Sequence, residues 1–269
     1  MNKIRLRFSK FGTLAFIGHL DFLRVFQQTI RRAALPAAFS QGFNPHLLLS
    51  FALPLPLGME SANDYVDLTL AEDMPCDEIA VRLNSAAPNG LVIHAAYPAS
   101  DKAASVVVAA DYVITTAGAP PPHPRKGSNA PLDPDIETAF HAVSEKVSER
   151  MAEILRAKEI IVPKKTKKGV RDTDIRGDIF GLEMRTGTEM SFGFEGMCSN
   201  VHAPPAFGFE GMCCDSHAPP AMHLRLAAGS ARFLNPLIVA ELLLGEKPCV
   251  SAITRVELYR DGETGLVRL

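Results

Sequence analysis

The chain has 269 residues, 47% of them hydrophobic and 22% charged, with a net charge of −2. That length allows two ordinary domains with proper cores, and the near-zero charge means that any polyanion must be met by a local patch. The absence of Trp and the 7% aromatic content argue against a broad base-stacking platform, and no apolar run is long enough to cross a membrane.

Ile4, Leu6 and Phe8 alternate with Arg5, Arg7 and Ser9, the period of a half-buried strand. From Leu20 to Leu35 the period becomes helical. Leu23, Phe26, Ile30 and Ala33 share one face, Arg24, Gln27, Gln28 and Arg31 the other, and Pro36 ends the helix. Strands are expected over Leu47 to Leu53 and Tyr65 to Leu70, a helix over Asp77 to Ala86, and a strand over Leu91 to Ala96. The order β-α-β-β-α-β is that of a ferredoxin-like unit, with two helices on one face of an antiparallel sheet.

The second half repeats the order less regularly. Ala109 to Thr116 reads as a strand, followed by a Pro/Gly-rich loop at 117–132 and a helix opened by Asp133-Pro134. A short strand at Ile160 to Val162, a basic turn from Lys164 to Gly169 and a hairpin of Phe180–Met184 with Met222–Leu226 come next. A helix at Asn235 to Leu244 and a strand at Ala252 to Tyr259 close the chain. The expected architecture is α+β: two tandem ferredoxin-like domains, residues 1–100 and 101–269, the second carrying an insert at 187–221.

Inside that insert, residues 192–206 and 207–221 agree at twelve of fifteen positions. Each copy places a Cys four residues before a His: Cys198 with His202, and Cys213 with His217. Two thiolates and two imidazoles would satisfy tetrahedral zinc, but the order lacks the usual paired spacing. A copied Gly/Pro-rich unit in a hairpin loop reads more simply as a silent, disordered insertion. Five cysteines, three of them crowded at 198–214, make no disulfide framework and point to a reducing cytoplasm.

Charge is distributed unevenly. The first 50 residues hold seven Lys/Arg against Asp21 alone, and the next 50 hold seven acids against Arg82. This dipole points to a face for a polyanion. Arg24, Arg31 and Arg32 on the first helix are candidate RNA contacts, as are Lys164, Lys165, Lys167, Lys168, Arg171 and Arg176 in the basic segment. A solvated charge run is the plainer meaning of both. His19 and His46 flank the same helix and its return turn, which also carries Gln41 and Asn44. They are candidates for phosphate contact or for acid–base RNA cleavage, against simple structural roles. No nucleophile elbow, P-loop or dinucleotide fingerprint is present.

The segments IRLRFSKFG, FIGHLDFLRVFQQTIRRAALP, AFSQGFNPH, LSFALPLPLGMES and DYVDLTL, with KKTKKGVRDTDIR and FLNPLIVAELLLG…ITRVELYR, resemble the radical SAM-linked protein family, a domain of unknown function (DUF2344). The resemblance covers most of the chain outside the insert. It implies an accessory role beside a radical SAM protein, with the iron–sulfur cluster and S-adenosylmethionine on that partner, since this chain has no CxxxCxxC triplet. The leading expectation is an RNA-presenting protein, with tRNA or rRNA as substrate and no cofactor of its own. The alternatives are a metal-independent endoribonuclease, by analogy with CRISPR RNA-processing enzymes, and a protein-docking module.

Overall fold

The fold is given by a computed structural model, which describes residues 2–116, 134–166, 169–185, 221–245 and 250–269. The chain is α+β, with few helices and a large, mostly antiparallel sheet. In chain order the elements are β1 (Asn2–Lys10), α1 (His19–Arg32), β2 (Leu49–Phe51), β3 (Met59–Leu70), α2 (Cys76–Ala86), β4 (Leu91–Pro98), α3 (Ala103–Val106), β5 (Val107–Thr116) and α4 (Pro134–Arg156). There follow β6 (Ile161–Thr166), β7 (Gly169–Asp174), β8 (Ile179–Arg185), β9 (Ala221–Ala227), α5 (Pro236–Leu244), β10 (Val250–Gly262) and β11 (Gly265–Arg268). The sheet runs β4-β1-β3-β10-β5-β9-β8, with β2 also on β3 and β11 also on β10. The chain divides into two compact units, one of residues 1–112, 226–233 and 253–269, the other of 113–225 and 234–252.

In the first unit the elements from β1 to β4 run β-α-β-β-α-β, and β1 pairs antiparallel with both β3 and β4. Ile4, Leu6 and Phe8 point toward the helices and meet Val66, Leu68 and Leu70 of β3. Phe22, Phe26 and Ile30 of α1 and Ile79 and Leu83 of α2 close this core. Phe8, Phe22, Phe26 and Phe51 form its centre, with Phe8 and Phe26 edge-to-face at 5.2 Å and Phe26 and Phe51 at 5.5 Å.

Helix α1 ends at Arg32, short of Pro36. Ala34 adopts φ 51°, the Leu35 amide donates to the Ile30 carbonyl, and the Ala34 amide donates to that of Arg31. This is a Schellman ending with alanine where glycine is usual, fastened by buried Ile30 and Leu35. Strand β1 also brings bulges into its neighbours. The register with β4 slips between Arg7 and Phe8, leaving His94 as an extra residue, and that with β3 slips between Phe8 and Lys10.

The second unit departs further from the expected repeat. The strand anticipated at 160–162 runs on to Thr166 and pairs with β7 in a separate two-stranded sheet. The basic segment therefore forms the end of a hairpin, with Lys164 directly opposite Arg171. The loop at 117–132 and the duplicated insert lie outside the described residues, apart from Ala221, which begins β9. Asn235 caps α5, its side chain accepting from the Leu237 amide at 3.1 Å with Pro236 in the first turn.

Candidate functional site

Charged groups lie buried on both faces of the first unit's sheet. On the helix-bearing face, Arg255 of β10 is fully buried and grips Asp64 of β3 through two bonds, Nε at 3.0 Å and Nη2 at 2.7 Å. The same guanidinium donates to the Leu53 and Pro54 carbonyls at 2.8 and 3.3 Å, which fixes the loop after β2. Nearby, Lys10 is 1% exposed. Its ammonium donates to the Ile17 carbonyl at 3.3 Å and stands 4.7 Å over the Phe22 ring. Burial pushes the Lys10 ammonium below its usual range, with Asp64 opposing and Arg255 adding to the effect.

His19 opens α1 beside this cluster and meets Phe51 edge-on at 5.3 Å. Burial lowers its pKa, and the Lys10 and Arg255 charges lower it further. Gly18, not His19, is the N-cap residue of α1. His46 lies elsewhere in the unit, exposed in the 40–46 turn, with Nδ1 2.8 Å from the Ser40 hydroxyl. Gln41 and Asn44 are exposed in the same turn.

The other face of β1 presents Arg5, Arg7 and Ser9. Arg5 is buried and bonds Asp67 at 2.8 Å and Asp101 at 2.6 Å, while Asp67 also accepts from the Ala103 amide at 2.7 Å. Two of the seven N-terminal cations, Arg5 and Lys10, are thus internal rather than available to a polyanion. Arg7 is half-buried opposite Tyr65 on β3 and Ala95 on β4. Tyr65 donates to Glu257 at 2.6 Å, and burial raises the pKa of that carboxyl against the Tyr65 and Leu258 hydrogen bonds. Burial and the Arg7 charge push His94 down to about 4, a backbone hydrogen bond at Ala62 acting the other way.

The His94 shift has a stability consequence. The unfolded chain takes up a proton near pH 6.5, whereas folded His94 refuses it until about 4. Stability is therefore full above pH 6.5 and falls as the pH drops toward 4, by up to about 3 kcal/mol from this group. Urea unfolding of wild type and His94→Gln across pH 4–7.5 reads this, and identical pH profiles for the two proteins would refute it.

Of the proposed RNA contacts, Arg24, Arg31 and Arg32 are all exposed on α1, but Arg24 is paired with Asp21 at 2.7 Å. In the second unit Lys164 and Arg171 are exposed. Lys165 is the next residue along β6, and Lys167 and Lys168 lie outside the described residues. Arg176 serves structure. Its guanidinium donates to the Leu155, Ala157 and Ile179 carbonyls at 2.7, 3.2 and 3.0 Å, tying the end of α4 to the start of β8. Cys198, His202, Cys213 and His217 lie outside the described residues, among which no cluster of metal-ligand side chains occurs. Among the described residues no helix is long and apolar enough to cross a membrane.

The buried groups Lys10, Asp64, Arg255 and Glu257, and half-buried Arg7, are not apparent as a cluster from the sequence. The polar positions of β1 were visible as alternation, but their partners lie far along the chain. No curated protein matches the chain. A family model described as "Uncharacterized protein conserved in bacteria (DUF2344)" matches residues 3–202, a span of 200 of the 269 residues. The chain therefore belongs to the DUF2344 family of proteins conserved in bacteria.

Proposed function

We propose that this chain is a cytoplasmic accessory protein that holds RNA, tRNA or rRNA, for a radical SAM partner. The partner carries the iron–sulfur cluster and S-adenosylmethionine, and this chain contributes binding without a cofactor of its own. The observation that carries the reading is the β6–β7 hairpin, where exposed Lys164 and Arg171 sit directly opposite each other. Like charges directly across a strand pair are destabilising. Among the described residues neither is in an ion pair, and three more lysines, Lys165, Lys167 and Lys168, follow Lys164 within four residues of sequence. A hairpin that holds such charges together at a cost in stability is suited to a phosphate backbone.

Arg31 and Arg32, exposed in the last turn of α1, are the contacts proposed on the first unit. The finer architecture belongs to the same proposal: both halves are read as ferredoxin-like, the second elaborated by β7 and by the insert. Binding of purified protein to total cellular RNA should weaken steeply with salt. Replacing Lys164, Lys165, Lys167 and Lys168 with Ala should make the log–log salt slope shallower by about 3, at about 0.7 per lost phosphate contact on single strands. Binding that is absent, or indifferent to salt, would sink the proposal. Histidine-dependent cleavage of the RNA would favour an endoribonuclease instead, and nuclease-resistant capture of a protein alone would favour a docking module.

A further inference from the structure

Strand alternation puts Arg7 and Ser9 on the sheet face away from α1 and α2, two residues apart. Both carry a buried polar atom with no hydrogen-bond partner, Arg7 Nε and Ser9 Oγ, and Ser9 itself is only 4% exposed. Buried donors are nearly always satisfied, so two adjacent unsatisfied ones on a single strand call for a ligand, ion or water. The surrounding groups are polar. Tyr65 lies opposite Arg7 on β3 and bonds Glu257, and Tyr97 on β4 donates to the Leu269 carbonyl at 3.3 Å. The β4 bulge places His94 within reach of the Arg7 charge, and the residue facing Arg7 on that strand is only Ala95.

A guanidinium lacking hydrogen bonds among the described residues, half-buried beside a small residue and a free serine hydroxyl, has the donors for an oxyanion. Arg presents a planar fork that takes two oxygens at once. Glu257, an acid that feels the Arg7 charge, is already engaged by the Tyr65 hydroxyl and the Leu258 amide. We propose that Arg7 and Ser9, between β3 and the bulge of β4, form a binding seat for a phosphate group. Arg7 holds two phosphate oxygens through its fork, and the Ser9 hydroxyl donates to one of them. This seat is independent of the β6–β7 hairpin and of the RNA reading built on it.

The probe is inorganic phosphate, read by NMR of the His94 imidazole and by thermal unfolding of the full chain. Phosphate should shift the His94 resonances saturably and raise its titration midpoint, since an anion beside Arg7 offsets the charge that holds the imidazole neutral. It should also raise Tm with concentration. Arg7→Met should weaken the response about tenfold or more and Ser9→Ala by a smaller factor, as expected for lost charge-assisted and neutral hydrogen bonds. Arg24→Gln should leave it unchanged. Should Arg7→Met not fold, Ser9→Ala and the wild-type His94 titration decide. Displacement of phosphate by a short RNA would assign the seat to backbone phosphates, and failure to displace would assign it to a free phosphate compound, both upholding it. No saturable His94 response in wild type, or an undiminished response in Arg7→Met or Ser9→Ala, overturns it.

Discussion

Arg255→Met is expected to cost the first unit about 3–5 kcal/mol of stability, the usual consequence of breaking a buried ion pair from one side. The substitution strands Asp64 in the interior, where only 3% of its surface is exposed, and removes the donors to the Leu53 and Pro54 carbonyls. Asp64→Leu should cost a similar amount by stranding Arg255. The double change Asp64→Leu/Arg255→Met should cost less than the sum, because it strands neither member of the pair. Urea unfolding of the four proteins measures this. Additive losses, or single losses below about 1 kcal/mol, would show that the pair is not the brace described.

Phe26→Ala should cost about 3–5 kcal/mol, within the range for deleting a buried aromatic ring. Phe26 is fully buried and makes edge contacts with Phe8, Phe22 and Phe51, so no neighbour is placed to fill the cavity without breaking another contact. Phe43→Ala is the control, since Phe43 is fully exposed in the 40–46 turn and should change stability by less than about 0.5 kcal/mol. Equal unfolding midpoints for Phe26→Ala and wild type would refute the packing account.

Local order was legible where the apolar period was long. Of the expected helix face, Phe26, Ile30 and Ala33 are buried and Leu23 is half-buried, and the alternating Ile4, Leu6 and Phe8 are all buried. The end of α1 was misplaced because alanine is not the residue expected in a left-handed turn, so Pro36 was the only visible stop. The charges misled more seriously. Arg5 pairs with Asp67 and Arg255 with Asp64, across 62 and 191 residues of chain, and no periodicity connects such positions. A count of N-terminal cations consequently overstated the surface charge.

Strands β7 and β11 escaped for a different reason. Gly169–Asp174 is short and its residues are almost all exposed, so it has no buried face to reveal a period. Gly265–Arg268 is four residues long and mostly exposed, and its pairing along the end of β10 leaves no buried period to read. The candidate site was legible to the extent that Lys164 and Arg171 were named. Their placement across one hairpin, and the structural engagement of Arg176, depend on pairing and packing that composition does not carry.

The most direct test of the RNA-holding role is crosslinking in cells, followed by sequencing of the RNA retained by the protein. The account predicts a defined set of RNAs that is enriched over an uncrosslinked control and is lost when Lys164, Lys165, Lys167 and Lys168 are replaced by Ala. Recovery at the level of the control, or an RNA set unchanged in that variant, would contradict it.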